Sequence, residues 1–389
     1  MFIDLFPSKV ARGKTFCNRI NERQQLKENI QQCRHTVLVS PRRYGKTSLV
    51  SQTISEIEFP FASVDLFLAN DEKTITRRIV NGVADAMNKI LPASKKILGK
   101  VQEIFKSFKI SLGYQAYKLE YSFADNSTAN NIDIIYEALM SLLKLAEHHN
   151  KTVVFYIDEF QDVTNSESYR LVLGAIRNVA QSSDNLCFIF SGSNRHLLTT
   201  LFDDKSMPLY LLCDTIKLNR IYSADYKIHI NALAVEKWGE PLEDMTFNAI
   251  MKCSEAHAFY VNMLCNRLWK KKTLPKANLV YETWDNCLDG ESNRIVAEIS
   301  ALTKVQQDVL KSLALETVNE PFGHKFSSIV GRPVTSIRQS IQALLEKDFI
   351  FIVEQEDIEV VAHKHGFYTL VDPLIKHMFH RKLFYLFCQ

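Results

Sequence analysis

The chain has 389 residues, and because a single hydrophobic core stops growing at roughly 250–300 residues, this length predicts two or three domains. Hydrophobic residues make up 46% and charged residues 23% of the sequence, which excludes disorder as the main state, and 12 glycines and 10 prolines are too few for a turn-rich all-β protein. The formal net charge of +3 is too small to indicate nucleic-acid binding by overall charge, so a basic surface would have to be local.

The cysteines and the N-terminal residues bear on the cellular compartment. The eight cysteines include no C-x-x-C pair, which disfavours zinc and redox sites and favours buried thiols. The N-terminal segment MFIDLFP lacks the basic and apolar regions of a signal peptide, and no apolar run is long enough to span a membrane. We therefore expect a cytoplasmic protein without a membrane segment.

Short apolar segments alternate with helical patterns in the first 222 residues. The segments that predict strands are 36–40, 61–67, 151–157, 186–190 and 215–218. Apolar strands separated by helices are typical of a parallel sheet that is covered by helices on both faces. The sequence thus predicts an α/β fold for this region.

An insertion over about 71–130 separates the second and third of these strands. Segments 74–90 and 94–105 have helical patterns, and the apolar residues of 108–114 and 117–123 then alternate as in strands. This alternation predicts a β-hairpin with one aromatic face, which we expect to pack on the flank of the sheet.

The segment SPRRYGKTS, residues 40–48, predicts a phosphate-binding loop. It matches the pattern G-x-x-x-x-G-K-[ST] except that Ser40 replaces the first glycine. In such loops the backbone amides surround the phosphates, Lys46 contacts the β- and γ-oxygens, and the Thr47 hydroxyl binds Mg²⁺. The candidate nucleotide-binding residues of this segment are Arg43, Tyr44, Gly45, Lys46, Thr47 and Ser48.

Two adjacent carboxylates end the third predicted strand, VVFYIDEF at 153–160. In P-loop ATPases Asp158 would hold the Mg²⁺ shell and Glu159 would polarise the attacking water. Alternatively, the two acids merely cap the next helix. The order of the phosphate loop and the acidic pair along the chain favours the catalytic interpretation.

A third polar segment, FIFSGSNR at 188–195, ends the fourth predicted strand. Its position indicates a residue that senses the γ-phosphate, with Ser193 and Asn194 as candidates, and Arg195 could instead reach the phosphate. Asn194 could equally serve as the cap of the following helix.

Several of these segments together resemble the archaeal- and bacterial-type AAA+ (STAND-like) P-loop ATPases that carry a C-terminal winged helix. The resemblance covers about residues 7–381, and its motifs are FCNRINE at 16–22, PRRYGKTS at 41–48, IDEFQ at 157–161, FSGS at 190–193 and YTLVDPL at 368–374. It implies that the first motif, with Arg19, contacts the adenine of ATP, that Lys46 and Glu159 are catalytic, and that ATP and Mg²⁺ are the cofactors.

The chain departs from the family pattern at functional positions. Asn18 replaces a glycine, and Leu212 stands where the family has an arginine that acts on the neighbouring subunit's nucleotide. Nucleotide binding is therefore expected, whereas the efficiency of hydrolysis stays open. The arginines that could substitute are Arg177, Arg195 and Arg220.

Residues 223–298 show only helical patterns and fit the helical lid that follows an AAA+ core. The resemblance implies that His257, near the start of one lid helix, contacts the γ-phosphate. A lone histidine on a helix is alternatively a structural residue.

Residues 299–389 predict a winged helix-turn-helix. Thr303 caps the first helix, 326–330 and 335–347 form the second and third, and 349–353 with 358–362 form the wing hairpin. Residue types that contact phosphates and base edges lie on the third helix, namely Arg338, Gln339, Gln342 and Lys347. The acidic turn between the wing strands, with Glu354, Glu356 and Asp357, opposes DNA binding, so a protein partner is the alternative.

The domains expected are thus a P-loop ATPase core at 1–222, a helical lid at 223–298 and a winged helix at 299–389. The function expected is that of an ATPase that acts as a nucleotide-dependent conformational switch, forms homo-oligomers, and works on DNA or a protein partner. The alternative is a DNA-binding or recruitment protein whose nucleotide is structural and hardly hydrolysed.

Overall fold

The computed structural model describes residues 4–91, 108–112, 117–121, 130–353 and 366–387. The chain divides into two compact units. The sheet unit comprises residues 20–42 and 49–218, and the C-terminal unit comprises residues 1–19, 43–48 and 219–389.

A five-stranded parallel sheet forms the centre of the sheet unit. The strands of the described residues are β1 Thr36–Val39, β2 Phe61–Asp65, β3 Phe108–Leu112, β4 Tyr117–Tyr121, β5 Val153–Asp158, β6 Leu186–Gly192, β7 Asp214–Lys217, β8 Ile350–Ile352 and β9 Tyr368–Leu370. The large sheet has the order β2-β5-β6-β1-β7, and all its neighbouring strands are parallel. β5 and β6 are buried on both faces because they lie inside the sheet, which is why their sequences are continuously apolar. The predicted α/β fold with a parallel sheet is confirmed.

Helices cover this sheet, and the four helices at 72–90, 131–148, 169–181 and 195–203 share one apolar core with it. Those of the sheet unit are α1 Ile20–Gln31, α2 Lys46–Ser55 (whose first turn belongs to the C-terminal unit), α3 Glu72–Ile90, α4 Asn131–His148, α5 Tyr169–Gln181 and α6 Arg195–Asp203. Asp71 begins α3 by accepting a hydrogen bond from the Thr74 amide (2.7 Å). A short 3-10 helix, Phe160–Asn165, follows β5 directly.

The hairpin predicted within the insertion is confirmed. β3 and β4 pair antiparallel, with Ile110 opposite Leu119. The predicted helix at 94–105 lies outside the described residues.

The C-terminal unit is built mainly of helices around a second core. They are α7 Ser223–Trp238, α8 Asp244–Ser254, α9 Ala258–Leu268, α10 Ala277–Ser300, α11 Lys304–Leu315, α12 His324–Val330, α13 Val334–Glu346 and α14 Pro373–Phe387. Phe6 from the N-terminal segment is buried in the same core and contacts the Trp269 ring, with the centroids 4.6 Å apart. α10 runs through position 298, where the sequence predicts the border between lid and winged helix, so this border stays a prediction.

Among the described residues, four helices (α11 to α14) and a strand pair occupy the region predicted as a winged helix. Thr303 caps α11 as expected, since its Oγ1 accepts from the Gln306 amide (3.3 Å). β8 pairs antiparallel with β9, whereas the second predicted wing strand (358–362) and the acidic turn lie outside the described residues. The winged helix itself therefore stays a prediction.

Within the described ranges, no helix is long and apolar enough to cross a membrane. In the same ranges no group of three or more His, Cys, Asp or Glu side chains is arranged to hold a metal ion. The seven cysteines of the described residues are free thiols, as the sequence predicts, and Cys388 lies outside them.

Candidate functional site

Three segments that the sequence singles out leave the sheet at the same edge. In a parallel sheet all strands end on one side, so the residues that follow β1, β5 and β6 start from a common edge. Ser40 follows β1, Asp158 ends β5, and Ser193 follows β6. The fold thereby brings the acidic pair, the polar segment after β6 and the start of the phosphate loop to one side of the sheet.

Asp158 is half-buried and is oriented by donors from two strands. The Ser191 hydroxyl donates to its Oδ1, and the Tyr156 hydroxyl lies 2.7 Å from the same serine oxygen. The Glu159 amide also donates to Asp158 Oδ1 (3.0 Å). A fixed, partly exposed carboxylate has the oxygen chemistry that suits Mg²⁺.

Glu159 is held by three hydrogen bonds to a single oxygen. Its Oε2 accepts from the Ser193 amide (3.1 Å), the Ser193 hydroxyl (2.7 Å) and the Gln161 side-chain amide (2.8 Å). Its backbone is left-handed (φ 49°), which turns the chain sharply from β5 into the 3-10 helix. The glutamate side chain makes no capping hydrogen bond to that helix, so the capping alternative is not what the structure shows for this residue.

The candidate sensors after β6 have different surroundings. Asn194 Oδ1 accepts from the Leu197 amide (3.1 Å) and so caps α6, which was the alternative role for this residue. Ser193 contacts Glu159, and its hydroxyl also accepts from Arg42 Nε (3.1 Å). Ser193 thus links the acidic pair to the start of the phosphate loop.

The phosphate loop needs glycine at one of its two pattern positions only. Gly45 has φ 94° and Arg43 has φ 65°, whereas buried Ser40 avoids the left-handed region and bonds its hydroxyl to the Pro41 carbonyl (3.1 Å). Serine is therefore tolerated where the pattern has its first glycine. Alternating backbone conformations of this kind direct successive amides into a concave nest that suits phosphate, so the loop fits a nucleotide.

The residues after Gly45 begin α2. Lys46 is its first residue and is 6% exposed, whereas Thr47 is exposed. The Ser48 hydroxyl accepts from the Ala11 amide (3.1 Å), which ties the N-terminal segment to the loop.

Arg19 also contacts the loop. Its guanidinium donates to the Tyr44 carbonyl (3.2 Å) and is buried. Asn18 has φ 48°, and asparagine tolerates this left-handed conformation better than most residues, which explains how it replaces the family's glycine.

Tyr44 belongs to a closed polar cluster that the sequence does not reveal. Its hydroxyl accepts from Arg220 Nε (3.2 Å), and Arg220 further donates to the Val371 carbonyl (3.1 Å) and to the carbonyl and carboxylate of Glu255 (2.8 and 2.9 Å). Lys376 forms a second ion pair with Glu255 (2.7 Å). We call these four residues, Tyr44, Arg220, Glu255 and Lys376, the Arg220 cluster.

The charges of this cluster stabilise each other. Burial disfavours the charged forms of Arg220 and Glu255. Burial alone would lower the pKa of Arg220, but Tyr44 and Glu255 raise it above its ordinary value. Burial alone would raise the pKa of Glu255, but the positive charges of Arg220 and Lys376 lower it below its ordinary value. Arg220 is therefore charged, and each of its three guanidinium nitrogens donates a hydrogen bond within the C-terminal unit.

His257 is buried between two tyrosine rings. Its ring centroid lies 4.7 Å from that of Tyr44 and 4.8 Å from that of Tyr260, and its Nδ1 has no hydrogen-bond partner. Burial, together with the charges of Arg220 and Arg43, lowers the pKa of His257 well below its ordinary value, so the ring is neutral at pH 7. Its packing matches the structural alternative, and contact with a γ-phosphate stays a prediction.

The other arginine candidates and Leu212 can be placed as well. Arg177 donates to the Pro208 carbonyl, Arg195 begins α6, and Leu212 packs against the core of the sheet unit. On α13, Arg338 lies over the Phe322 ring at 4.5 Å. Gln339, Gln342 and Lys347 are exposed, as the predicted DNA contacts require.

The solved structures that are similar to this chain include an ATPase and an ORC2 protein. A Walker-type ATPase of Pyrococcus abyssi has 15% identity and a TM-score of 0.66, with 97% of this chain and 99% of that chain covered. The ORC2 protein of Aeropyrum pernix in its ADPNP–ADP complexes has 14% identity and a TM-score of 0.56, with 97% and 98% covered. No protein-family model and no curated protein matches the sequence. The chain therefore has the fold of the AAA+ P-loop ATPases.

Proposed function

We propose that the protein binds and hydrolyses ATP. The observation that carries this proposal is the pair Asp158 and Glu159 at the end of β5, in which each carboxylate is oriented by a serine of the β6 segment. Two adjacent carboxylates with separate, fixed orientations can take separate roles, one towards a metal ion and one towards water. The structural similarity to a Walker-type ATPase and to a nucleotide-bound ORC2 protein supports it.

The residues would divide the work as follows. The amides of the loop up to Gly45 and the Lys46 ammonium hold the phosphates, and Thr47 and Asp158 would hold Mg²⁺. Mg²⁺ supplies charge neutralisation at the phosphates when it is bound. Glu159 orients the attacking water and accepts its proton.

The Lys46→Ala variant tests the binding half of this proposal. Loss of the ammonium removes the main charge contact to the β- and γ-oxygens, so the ATP affinity should fall to about one tenth of the wild-type value or less. Fluorescent-nucleotide titration of the full chain measures it, with Lys14→Ala as the control because Lys14 pairs with Glu236 on the surface. Unchanged ATP affinity in Lys46→Ala would contradict the proposal.

We further propose that the nucleotide state acts as a conformational switch in a homo-oligomer that works on DNA. The exposed polar residues of α13 favour DNA over a protein partner. Steady-state ATPase with and without duplex DNA tests this, because turnover should rise when DNA engages α13 and should not rise in Arg338→Ala. ATP binding without turnover in either condition would instead support the alternative of a static, DNA-binding or recruitment protein.

A further inference from the structure

We propose, on the basis of the ATPase function above, that Gln161 is a positioning residue for Glu159. Gln161 is 4% exposed, and its side-chain amide donates to Glu159 Oε2 (2.8 Å) and to Asp162 Oδ1 (3.1 Å). Asp162 in turn accepts from the Leu68 amide (2.8 Å). A chain of hydrogen bonds therefore runs from the β2–α3 loop to the proposed base.

The backbone next to Gln161 is adapted to its side chain. A Cβ atom on Gly192 would lie 1.8 Å from Gln161 Oε1, so only glycine leaves room for this amide. Gln161 Oε1 is buried and accepts no hydrogen bond. A buried amide oxygen without a hydrogen-bond partner destabilises the folded state. The presence of glutamine at position 161 therefore fits a role for its NH2 group, which donates to Glu159.

The geometry assigns a specific task to this contact. Glu159 is left-handed and lies between β5 and the 3-10 helix, so its side chain is not part of a regular strand or helix face. Ser193 fixes the carboxylate from the β6 side and Gln161 from the 3-10 helix side. Two anchors from different segments fix the direction of the remaining lone pairs, and a general base requires that direction to be correct.

Variants at Gln161 and Gly192 test this assignment by ATPase kinetics. Gln161→Ala should lower kcat about tenfold while KM and the ATP affinity change less than about twofold, because the anchor acts on the base and not on the nucleotide. Gly192→Ala should give a similar loss by displacing the Gln161 amide. The double variant should be no worse than either single variant, since both remove one anchor.

A charged variant separates positioning from a general structural role. Gln161→Glu removes the amide donor and places a carboxylate beside that of Glu159, so kcat should fall at least as far as in Gln161→Ala while the ATP affinity is retained. Gln24→Glu is the matched control, since Gln24 makes the same amide–carboxylate contact with Glu28 on the surface (2.7 Å). Unchanged kcat in Gln161→Ala and Gly192→Ala, or a loss of ATP affinity equal to the loss of kcat, overturns the assignment. A wild-type chain that binds ATP without turnover overturns hydrolysis itself, which the wild type alone reveals.

A second, independent observation concerns Tyr44, and we infer that it couples the phosphate loop to the β8–β9 pair. Tyr44 is 5% exposed and packs in an apolar cluster with Phe351, Val353 and Val371, beside β8 and β9. Its ring is thus anchored by packing, and its hydroxyl by Arg220. Arg220 also binds the Val371 carbonyl, so one guanidinium holds both sides of the contact.

The position of Tyr44 in the loop makes this anchoring consequential. Its neighbours Arg43 and Gly45 carry the left-handed conformations that shape the loop. The docked Tyr44 therefore holds the loop in its phosphate-binding shape. By linkage, a nucleotide that binds this shape must in turn strengthen the docking of Tyr44 on the β8–β9 pair.

Hydrogen exchange on the full chain tests the coupling. The reporters are the amides of Val353 and Val371, which donate to the Phe367 and Phe349 carbonyls (2.9 and 3.0 Å). ATP should slow their exchange in the wild type and in the control Tyr281→Ala, a partly exposed tyrosine of α10, but not in Tyr44→Ala. Tyr44→Ala should also weaken ATP binding about tenfold, because the loop is no longer pre-ordered.

The outcomes are separable because ATP binding is titrated in the same samples. Equal slowing of exchange in Tyr44→Ala and wild type overturns the coupling, as does bound ATP that leaves the wild-type exchange unchanged. Absence of ATP binding in the wild type contradicts the proposed function instead. Tyr44→Phe, which keeps the packing but loses the Arg220 bond, should retain part of the slowing.

Discussion

Two polar clusters of this molecule differ in burial and in how fully their groups are bonded. In the Arg220 cluster the arginine and glutamate side chains are 1% and 13% exposed, and opposite charges pair directly. In the cluster of Asp158 and Glu159, half-buried carboxylates are held by neutral hydroxyl and amide donors. Charges that neutralise one another in a closed site stabilise a fold, whereas partly exposed carboxylates held in fixed directions are suited to a metal ion and to water.

The largest effect on catalysis should come from Glu159→Gln in the cluster of Asp158 and Glu159. Glutamine keeps the size of the side chain but cannot accept a proton, so kcat for ATP hydrolysis should fall about 10²–10⁴-fold while ATP binding is retained. Single-turnover hydrolysis with titration of ATP affinity measures both quantities. Turnover at the wild-type rate in this variant would contradict the catalytic role of Glu159.

Arg220→Ala should give the largest loss of stability. The substitution removes one of the two cationic partners of the Glu255 carboxylate and the donor to the Tyr44 hydroxyl in a closed site, so the free energy of unfolding should fall by about 3 kcal/mol. Denaturant unfolding measures it, with Lys14→Ala as the control. Lys14 and Glu236 form an exposed pair (48% and 52% exposed), for which about 0–1 kcal/mol is expected. Similar losses in both variants would contradict the stabilising role assigned to the buried Arg220 cluster.

Ser191→Ala should produce a smaller, metal-specific effect. Asp158 loses the hydroxyl donor but keeps the Glu159 amide, so the Mg²⁺ concentration for half-maximal activity should rise about tenfold. Activity measured against Mg²⁺ at saturating ATP tests this. A fall in activity that no Mg²⁺ concentration restores would show that Ser191 does not act through the metal.

The smallest effect concerns pH and His257. Because the pKa of His257 is lowered, its ring stays neutral in the folded state. In the unfolded state the same ring takes up a proton below about pH 6.5. Stability should therefore fall as the pH drops below that value, by up to about 1.4 kcal/mol per pH unit from this residue. His257→Phe should show a shallower slope between pH 6.5 and 5. Parallel slopes would contradict the assignment of a neutral, buried ring.

The sequence predicted those parts of the fold that depend on local pattern. The strands β5 and β6 follow from apolar runs, because burial on both faces leaves a direct trace in the residues. The antiparallel pairing of β3 and β4 agrees with the alternation of apolar residues in their sequences. The pair formed by β8 and β9 was less accessible, since residues 368–370 stood out as part of a motif and not as a strand.

The site was predictable where it rests on motifs and unpredictable where it rests on distant contacts. Glu159 and Ser193 were recognised as site residues from their places after two strands, but their mutual hydrogen bonds depend on the order of β5 and β6 in the sheet. Gln161 appeared in the sequence only as the last residue of the motif IDEFQ, and no role was predicted for it. Arg220 and Tyr44 are 176 residues apart in sequence, so no local pattern could connect them.

The division of the chain into units also bears on the order of events during synthesis. Phe6 is buried in a core whose other members begin at Ile221, so the N-terminal segment leaves the ribosome long before its packing partners exist. The sheet unit, by contrast, is complete once residue 218 has emerged. Domains generally fold as they emerge, so the nascent chain should form the sheet first and carry an exposed apolar N-terminus until α7–α9 appear.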